Sequence, residues 1–280
     1  MNYRHSFHAG NFADVVKHSI LALCLAHLRE KPAPFRVIDT HAGAGRYDLA
    51  GPEAGKTLEW VEGIGRLVGV DAAPMPGSAA AILAPYLDIV VAANPDGRLS
   101  LYPGSPAIAR AMLRTGDNLV VNELHPQEHD ALAALFCGDR QVKSMALDGW
   151  TALKALLPPK ERRGLVLIDP PFERRDDLER LGLSLGEIRR RFATGTYLLW
   201  LPIKDASTAG AFHAEAAKAG FEKTLQAELL IRSPSDPARL NGCAMMIVNP
   251  PWTLRAKLET LGPFLAERLA QGPGAAFGLR

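Results

Sequence analysis

The sequence predicts an α/β fold, a doubly wound and mostly parallel sheet carrying an inserted helical subdomain. Three observations predict it: short apolar runs that each end in an acid or a glycine turn, helical stretches between those runs, and one interval too long for an ordinary crossover. Parallel strands covered by helices on both faces read as continuous apolar segments rather than as alternating ones. In such sheets ligands bind beyond the carboxyl ends of the strands, so the residues just after each run carry the functional argument.

The first element is a helix over Asn11 to Glu30. Asn11 is placed as its N-cap, Asp14 lies in its first turn, and Val15, Val16, Ile20, Leu23 and Leu28 recur at helical spacing. A buried strand follows at Phe35 to Asp39 and runs into a glycine turn. Further strands are expected at Asn118 to Asn122, Val142 to Leu147, Gly164 to Ile168, Thr196 to Leu201, Lys223 to Ile231 and Ala244 to Val248. More than seventy residues separate Gly45 from the second of these strands, well beyond a crossover of roughly a dozen. Residues 51–97, rich in Pro and Gly and with helical pieces at Leu58 to Leu67 and Ala79 to Ala92, read as the inserted helical subdomain. Residues 1–50 and 98–280 then form the main domain.

Composition narrows the function classes. Cys24, Cys137 and Cys243 are scattered with no CxxC pair, so neither a disulfide framework nor a thiolate metal site is expected, and a reducing cytoplasm fits. The apolar run Ile20 to Leu28 is far shorter than the roughly 20 residues a bilayer span needs. No membrane partner and no metal are expected, and a monomer is. A net charge of +2 is compatible with nucleic acid without arguing for it.

The turn Asp39-Thr40-His41-Ala42-Gly43-Ala44-Gly45 has the pattern D-x-x-x-G-x-G, in which Gly43 and Gly45 let a ligand approach the backbone closely. A dinucleotide fingerprint would place its third glycine at Asp48, where an acid repels a pyrophosphate. S-Adenosyl-L-methionine, which has no phosphate and carries a cationic sulfonium, suits an acid-flanked turn better. Glu123 closes the second strand and is placed for ribose hydroxyls. Asp148, followed by Gly149, closes the third and is placed for the adenine amine.

The fourth strand delivers Asp169-Pro170-Pro171-Phe172 to the same edge. An aromatic amine is a poor nucleophile because its lone pair is delocalised into the ring. Hydrogen bonds from that amine to the Asp169 carboxylate and the Pro170 carbonyl favour a tetrahedral nitrogen as a methyl group arrives, and Asp169 then takes the proton. Phe172 offers a face on which an extruded base can stack. A second tetrad, Asn249-Pro250-Pro251-Trp252, also follows a strand, but only about thirty residues remain after it, too few for the rest of the sheet. It is expected to be a strand end and helix start.

These motifs, together with an N-terminal block Asn2 to Asn11, Ala13-Asp14-Val15 and Lys17-His18, resemble the RlmJ family of 23S rRNA adenine-2030 N6-methyltransferases. The resemblance covers nearly the whole chain and includes Asp39 to Tyr47, Tyr102 to Pro106, Glu123 to Pro126, Asp169 to Pro171, Arg191 to Gly195 and Asn249 to Trp252. It implies a Rossmann-like S-adenosylmethionine-dependent methyltransferase fold acting on 23S ribosomal RNA. It further implies cofactor contacts from His18, His41, Ser105, Glu123, Asp148, Gly149 and Asp169, and an RNA contact from Tyr3. Phe172 departs from the DPPY spelling of the family and keeps the stacking face without the hydroxyl.

Arg162, Arg163, Arg174 and Arg175, with Arg189, Arg190 and Arg191 further on, are expected to form a collar that grips phosphates, or else a solvated helix face. Three alternatives share parts of the pattern: a DNA adenine-N6 methyltransferase, a non-catalytic nucleic-acid-binding protein linked to DNA uptake or use, and a dehydrogenase. The first lacks a visible DNA-reading domain, the second sits poorly with the intact set of acids and glycines, and Asp48 weakens the third.

Overall fold

The computed structural model describes residues 4–173, 176–205, 210, 214 and 218–280. After a single 3-10 turn at His5–Phe7, helix α1 spans Phe12–Arg29. Its cap is the expected Asn11, whose side chain accepts from the Ala13 and Asp14 amides. The helix is buried from Phe12 through Leu25, charged residues included.

Strand β1 (Arg36–Asp39) is followed by β2 (Arg46–Asp48), α2 (Ala54–Thr57), α3 (Gly65–Val68), α4 (Gly77–Ala92), β3 (Leu101–Pro103) and α5 (Ser105–Ala111). Then come β4 (Asn118–Asn122), α6 (Pro126–Leu135), β5 (Val142–Met145), α7 (Gly149–Leu156) and β6 (Gly164–Ile168). The chain continues with α8 (Asp177–Phe192), β7 (Thr196–Ile203), β8 (Thr224–Leu230), β9 (Gly242–Val248), α9 (Leu254–Arg268) and β10 (Ala276–Leu279).

Eight strands form one sheet in the order β10-β8-β9-β7-β6-β1-β4-β5. The five strands from β7 to β5 are mutually parallel, whereas β9 runs antiparallel to both β7 and β8. The chain winds outward from β1 in one direction through β4 and β5 and in the other through β6 and β7, so the switch point lies beyond the carboxyl ends of β1 and β6. Alternate residues of the central strands enter two separate apolar clusters: Val37, Leu119, Leu165 and Leu167 join α1, α4, α5 and α9, while Ile38, Val120, Val166 and Ile168 join α7 and α8. Burial on both faces is why these strands contain no polar alternation.

One expectation in residues 51–97 needs correction. Most of Leu58 to Leu67 is turn between α2 and α3 instead of helix, because Leu58 ends α2 in the left-handed region (φ 52°) and Gly63 lies against the backbone of Gly10 and Asn11, where a Cβ would sit 2.1 Å from the Gly10 carbonyl oxygen. The glycine turn after β1 leads into β2 instead of a helix, and β2 pairs with β3 across the intervening segment as a two-stranded antiparallel sheet. Helix α4 packs on α1 and α9.

Candidate active site

The carboxyl ends of β1, β4, β5 and β6 surround a cavity of about 400 Å³. His18, His41, Gly43, Ser105, Glu123, Asp148, Gly149, Asp169 and Pro170 all line it, which brings together nearly every cofactor position named from the sequence. Gly45 does not. It adopts a φ of 76° and faces Leu132 and Leu135 of α6.

Each acid is held differently. The carboxylate of Asp39, buried under α5, accepts from the Ser105 hydroxyl at 2.6 Å; burial pushes its pKa up to about 6. Ser105 is thus no helix cap: α5 is capped at Gly104 without a side-chain bond, and the hydroxyl turns inward to Asp39. Glu123 accepts from the Gly43 amide at 2.8 Å and the His125 amide at 2.7 Å, while burial raises its pKa. Asp148 caps α7, accepting from the Thr151 amide, and sits 3.5 Å from Arg180 Nη2. Gly149 is required by closeness, since a Cβ there would meet His41 Nε2 at 2.3 Å. His41 is fixed by Thr40 Oγ1 at 2.9 Å, and burial lowers its pKa to about 4.

A second cavity of about 320 Å³ lies on the other side of Asp169, Pro170 and Pro171, which line both spaces together with His5 and Lys17. Phe172, at a φ of 49°, lines only this second cavity, with Trp200, Pro202 and Lys204 of the β7 end. The Phe172 and Trp200 rings lie 5.7 Å apart at 54°. The strand end at β6 is therefore a partition with a chamber on either side.

Three residues the sequence reading did not assign are central to this partition. Lys17 Nζ lies 2.5 Å from Asp169 Oδ2 and 2.8 Å from Asp14 Oδ1, and His5 Nε2 contacts Asp14 at 3.0 Å. Burial works against the charge on Lys17, yet Asp14 and Asp169 outweigh it and raise its pKa. Burial likewise opposes the Asp14 charge, and His5 and Lys17 overcome it and hold that carboxyl well below the usual range. The one available signal was Asp14, Lys17 and His18 at i, i+3 and i+4 on one face of a helix that is otherwise mostly apolar. His18, next along, is completely buried, and burial lowers its pKa to about 3.

The expected arginine collar is mostly elsewhere. Arg163 precedes β6, at the opposite edge of the sheet, where its guanidinium donates to the carbonyls of Leu28 and Ala33; Arg162 adjoins it there. Arg190 and Arg191 pair with Glu187 and Arg189 donates to the Ala219 carbonyl, at the far end of α8 from the cavities. Arg180 near the start of α8 lines the first cavity instead, 5.4 Å from the Trp150 ring. Tyr3, Arg174 and Arg175 lie outside the described residues. The tetrad at Asn249 also sits at the opposite edge, because β9 is antiparallel and Val248 pairs with Tyr197 at the start of β7. Strand direction, rather than the shortage of following sequence, sets it aside.

Residues 32–277 match the family model described as "Ribosomal RNA large subunit methyltransferase D, RlmJ". The chain belongs to the RlmJ family. A relative from Escherichia coli K12 named ribosomal RNA large subunit methyltransferase J is 41% identical over 96% of this chain and 94% of its own length. One of the same name from Haemophilus influenzae is 40% identical over 98% and 96%. The crystal structure of protein LPL1258 from Legionella pneumophila superimposes with a TM-score of 0.87 at 33% identity, covering 98% of both chains. The RlmJ model begins after α1, so its match does not include His5, Lys17 and His18.

Proposed function

We propose that this RlmJ chain is an S-adenosylmethionine-dependent methyltransferase that modifies the exocyclic N6 of a specific adenine in 23S ribosomal RNA. The observation that carries the chemistry is the partition: one strand end, Asp169 to Pro171, walls two cavities at once, so a cofactor in one and a base in the other meet at Asp169. The names of the curated relatives support the RNA.

The larger cavity fits the cofactor on its own residues. It holds a buried ring nitrogen without a hydrogen-bond partner among the described residues, His18 Nε2, and a wall at Gly149 that no larger residue could form without displacing His41. His18, His41, Gly43, Ser105, Glu123, Asp148, Gly149 and Asp169 would hold it, with Gly45 shaping the turn. When bound, the cofactor supplies a methyl group activated by a sulfonium.

The rest is done by the chain. Lys17 occupies Asp169 Oδ2 and leaves Oδ1 to accept from the target amine, while the Pro170 carbonyl accepts its second hydrogen. Both bonds raise electron density on the nitrogen, and the carboxylate takes the proton that the methylated amine releases. Phe172 and Trp200 offer aromatic faces to an extruded base. Tyr3, Arg174 and Arg175 are proposed RNA contacts. With ribosomal RNA as substrate, the cytoplasm is the proposed compartment and a monomer the proposed state; residues 51–97 are proposed as the insertion in a methyltransferase domain formed by 1–50 and 98–280. No helix among the described residues is long and apolar enough to cross a membrane.

The test is a methyl-transfer assay offering rRNA, tRNA and DNA, with the product base identified by mass spectrometry. N6-methyladenine in 23S rRNA is expected. Label confined to DNA overturns the RNA assignment and favours the DNA adenine methyltransferase that shares this tetrad.

A further inference from the structure

Three buried residues from three separate elements form a hydrogen-bonded line that ends at the cofactor cavity. Tyr86 Oη of α4 lies 2.8 Å from Tyr102 Oη of β3, which lies 2.7 Å from Nδ1 of His18 on α1. Relative exposures are 1%, 0% and 0%, so the line is closed off from bulk solvent. The Tyr102 and His18 rings stack at 5.6 Å and 29°, which holds the imidazole plane. At the other end of the line, His18 Nε2 is buried without a hydrogen-bond partner among the described residues, and His18 lines the larger cavity.

The direction of this line follows from counting hydrogens. Tyr102 Oη is the sole bonding partner of Tyr86 Oη among the described residues, so the Tyr86 hydroxyl hydrogen has one place to go and Tyr86 donates. Tyr102 then directs its own hydrogen at the remaining neighbour, Nδ1 of His18. The reverse order strands the Tyr86 hydroxyl hydrogen away from any second acceptor among the described residues, whereas this order leaves the one unplaced hydrogen on Nε2, on the side of Asp14 and the larger cavity, where a ligand oxygen can accept it. Burial keeps the imidazole neutral, with a pKa of about 3, leaving it a single proton to place. Asp14 Oδ1, 3.9 Å from Nε2, makes that side electronegative and favours a hydrogen there.

We infer that Tyr102, backed by Tyr86, is a positioning residue that fixes His18 as the Nε2–H tautomer and so presents a hydrogen-bond donor to a carboxylate oxygen in the larger cavity. The inference rests on the S-adenosylmethionine reading, whose amino-acid portion carries that carboxylate. It also gives the 51–97 segment a part in cofactor recognition through Tyr86, without contact to the cofactor.

The test joins a spectroscopic and a binding measurement. Long-range proton–nitrogen correlation NMR on the chain labelled with 15N-histidine, with the His18 signals assigned by their loss in His18→Gln, is expected to show a protonated Nε2 and a bare Nδ1. A hydrogen on Nδ1 overturns the inference, and this measurement on the unsubstituted chain decides the matter whether or not Tyr102→Phe folds. In calorimetry, Tyr102→Phe is expected to weaken S-adenosylhomocysteine about tenfold and to leave 5′-methylthioadenosine, which lacks the amino-acid portion, unchanged. Equal weakening of both ligands assigns Tyr102 a structural role and overturns the inference. An unsubstituted chain that binds neither ligand removes the cofactor reading itself, and this inference with it.

Discussion

Lys17 and Asp169, 152 positions apart in sequence, form an ion pair with Nζ 2.5 Å from Oδ2, and the same ammonium is held from behind by Asp14. The pair ties the first helix to the end of the fourth parallel strand in the site, and it engages Oδ2 of Asp169.

Asp169→Ala should abolish methyl transfer while changing S-adenosylmethionine affinity by less than about tenfold, since the other contacts of the cavity stay in place. Turnover and calorimetric binding on the same preparation check it. Methylation retained by the purified variant would remove Asp169 from the chemistry.

Lys17→Met, one atom shorter and uncharged, takes the ammonium from Asp169 and leaves Asp14 with His5 and the Gly10 amide alone. Breaking a buried pair from one side costs about 3–5 kcal/mol, and the loss should appear as a lower urea midpoint with an unchanged slope. Turnover should fall by about 100-fold or more. A variant as stable as the parent would show that the pair is solvated and energetically idle.

The His18 ring titrates near pH 3 when folded, against an ordinary value of 6.5. Between those values the unfolded chain binds the proton and the folded one does not, so this group's contribution to stability is present above pH 6.5 and is lost as pH falls. Replacing it by Gln should flatten the acid limb of the stability profile between pH 6.5 and 4.5 by about 1.4 kcal/mol per pH unit. Denaturation series at matched pH values measure the difference, and parallel profiles would contradict it.

Gly149→Ala drives a methyl group into the space held by His41 Nε2. Cofactor affinity should drop by about tenfold or more as the imidazole is displaced, with RNA binding in filter assays unaffected.

Asn249 and Trp252 serve as the control. Trp252→Ala, at a side chain 83% exposed on the opposite edge, should leave methyl transfer within about twofold. Asn249→Ala should cost about 1–2 kcal/mol of stability, because the side chain bridges the carbonyls of Ala193 and Gly195 from a left-handed backbone position. A loss of turnover in Trp252→Ala without a loss of stability would return the second tetrad to contention.

What could be read in advance was what local pattern encodes. The apolar runs at Phe35, Asn118 and Gly164 and the acids after them needed no long-range information, because burial on both faces writes itself into consecutive residues; the run at Val142 is an edge strand and only partly buried. Strands β2 and β3 were invisible: three residues each, they pair only because the segment between Asp48 and Leu101 returns the chain on itself. The β10 strand lies in a stretch rich in Gly and Ala that carries little apolar signal. Lys17 escaped for a related reason, as nothing around it in sequence announces a partner on β6. The misplaced arginines show the opposite error: Arg162 and Arg163 are near Asp169 in sequence, but a five-residue strand lies between them, and a strand advances about 3.3 Å per residue.

The partition between the two cavities constrains how such a site can change. A substitution at Asp169, Pro170 or Pro171 alters the wall of both chambers at once, so those positions have little freedom to drift. Phe172 and Trp150 each border a single chamber. The side chain at 172 can therefore vary without reshaping the larger chamber, and the departure of this chain from a tyrosine there is the kind of change that a two-chambered site tolerates.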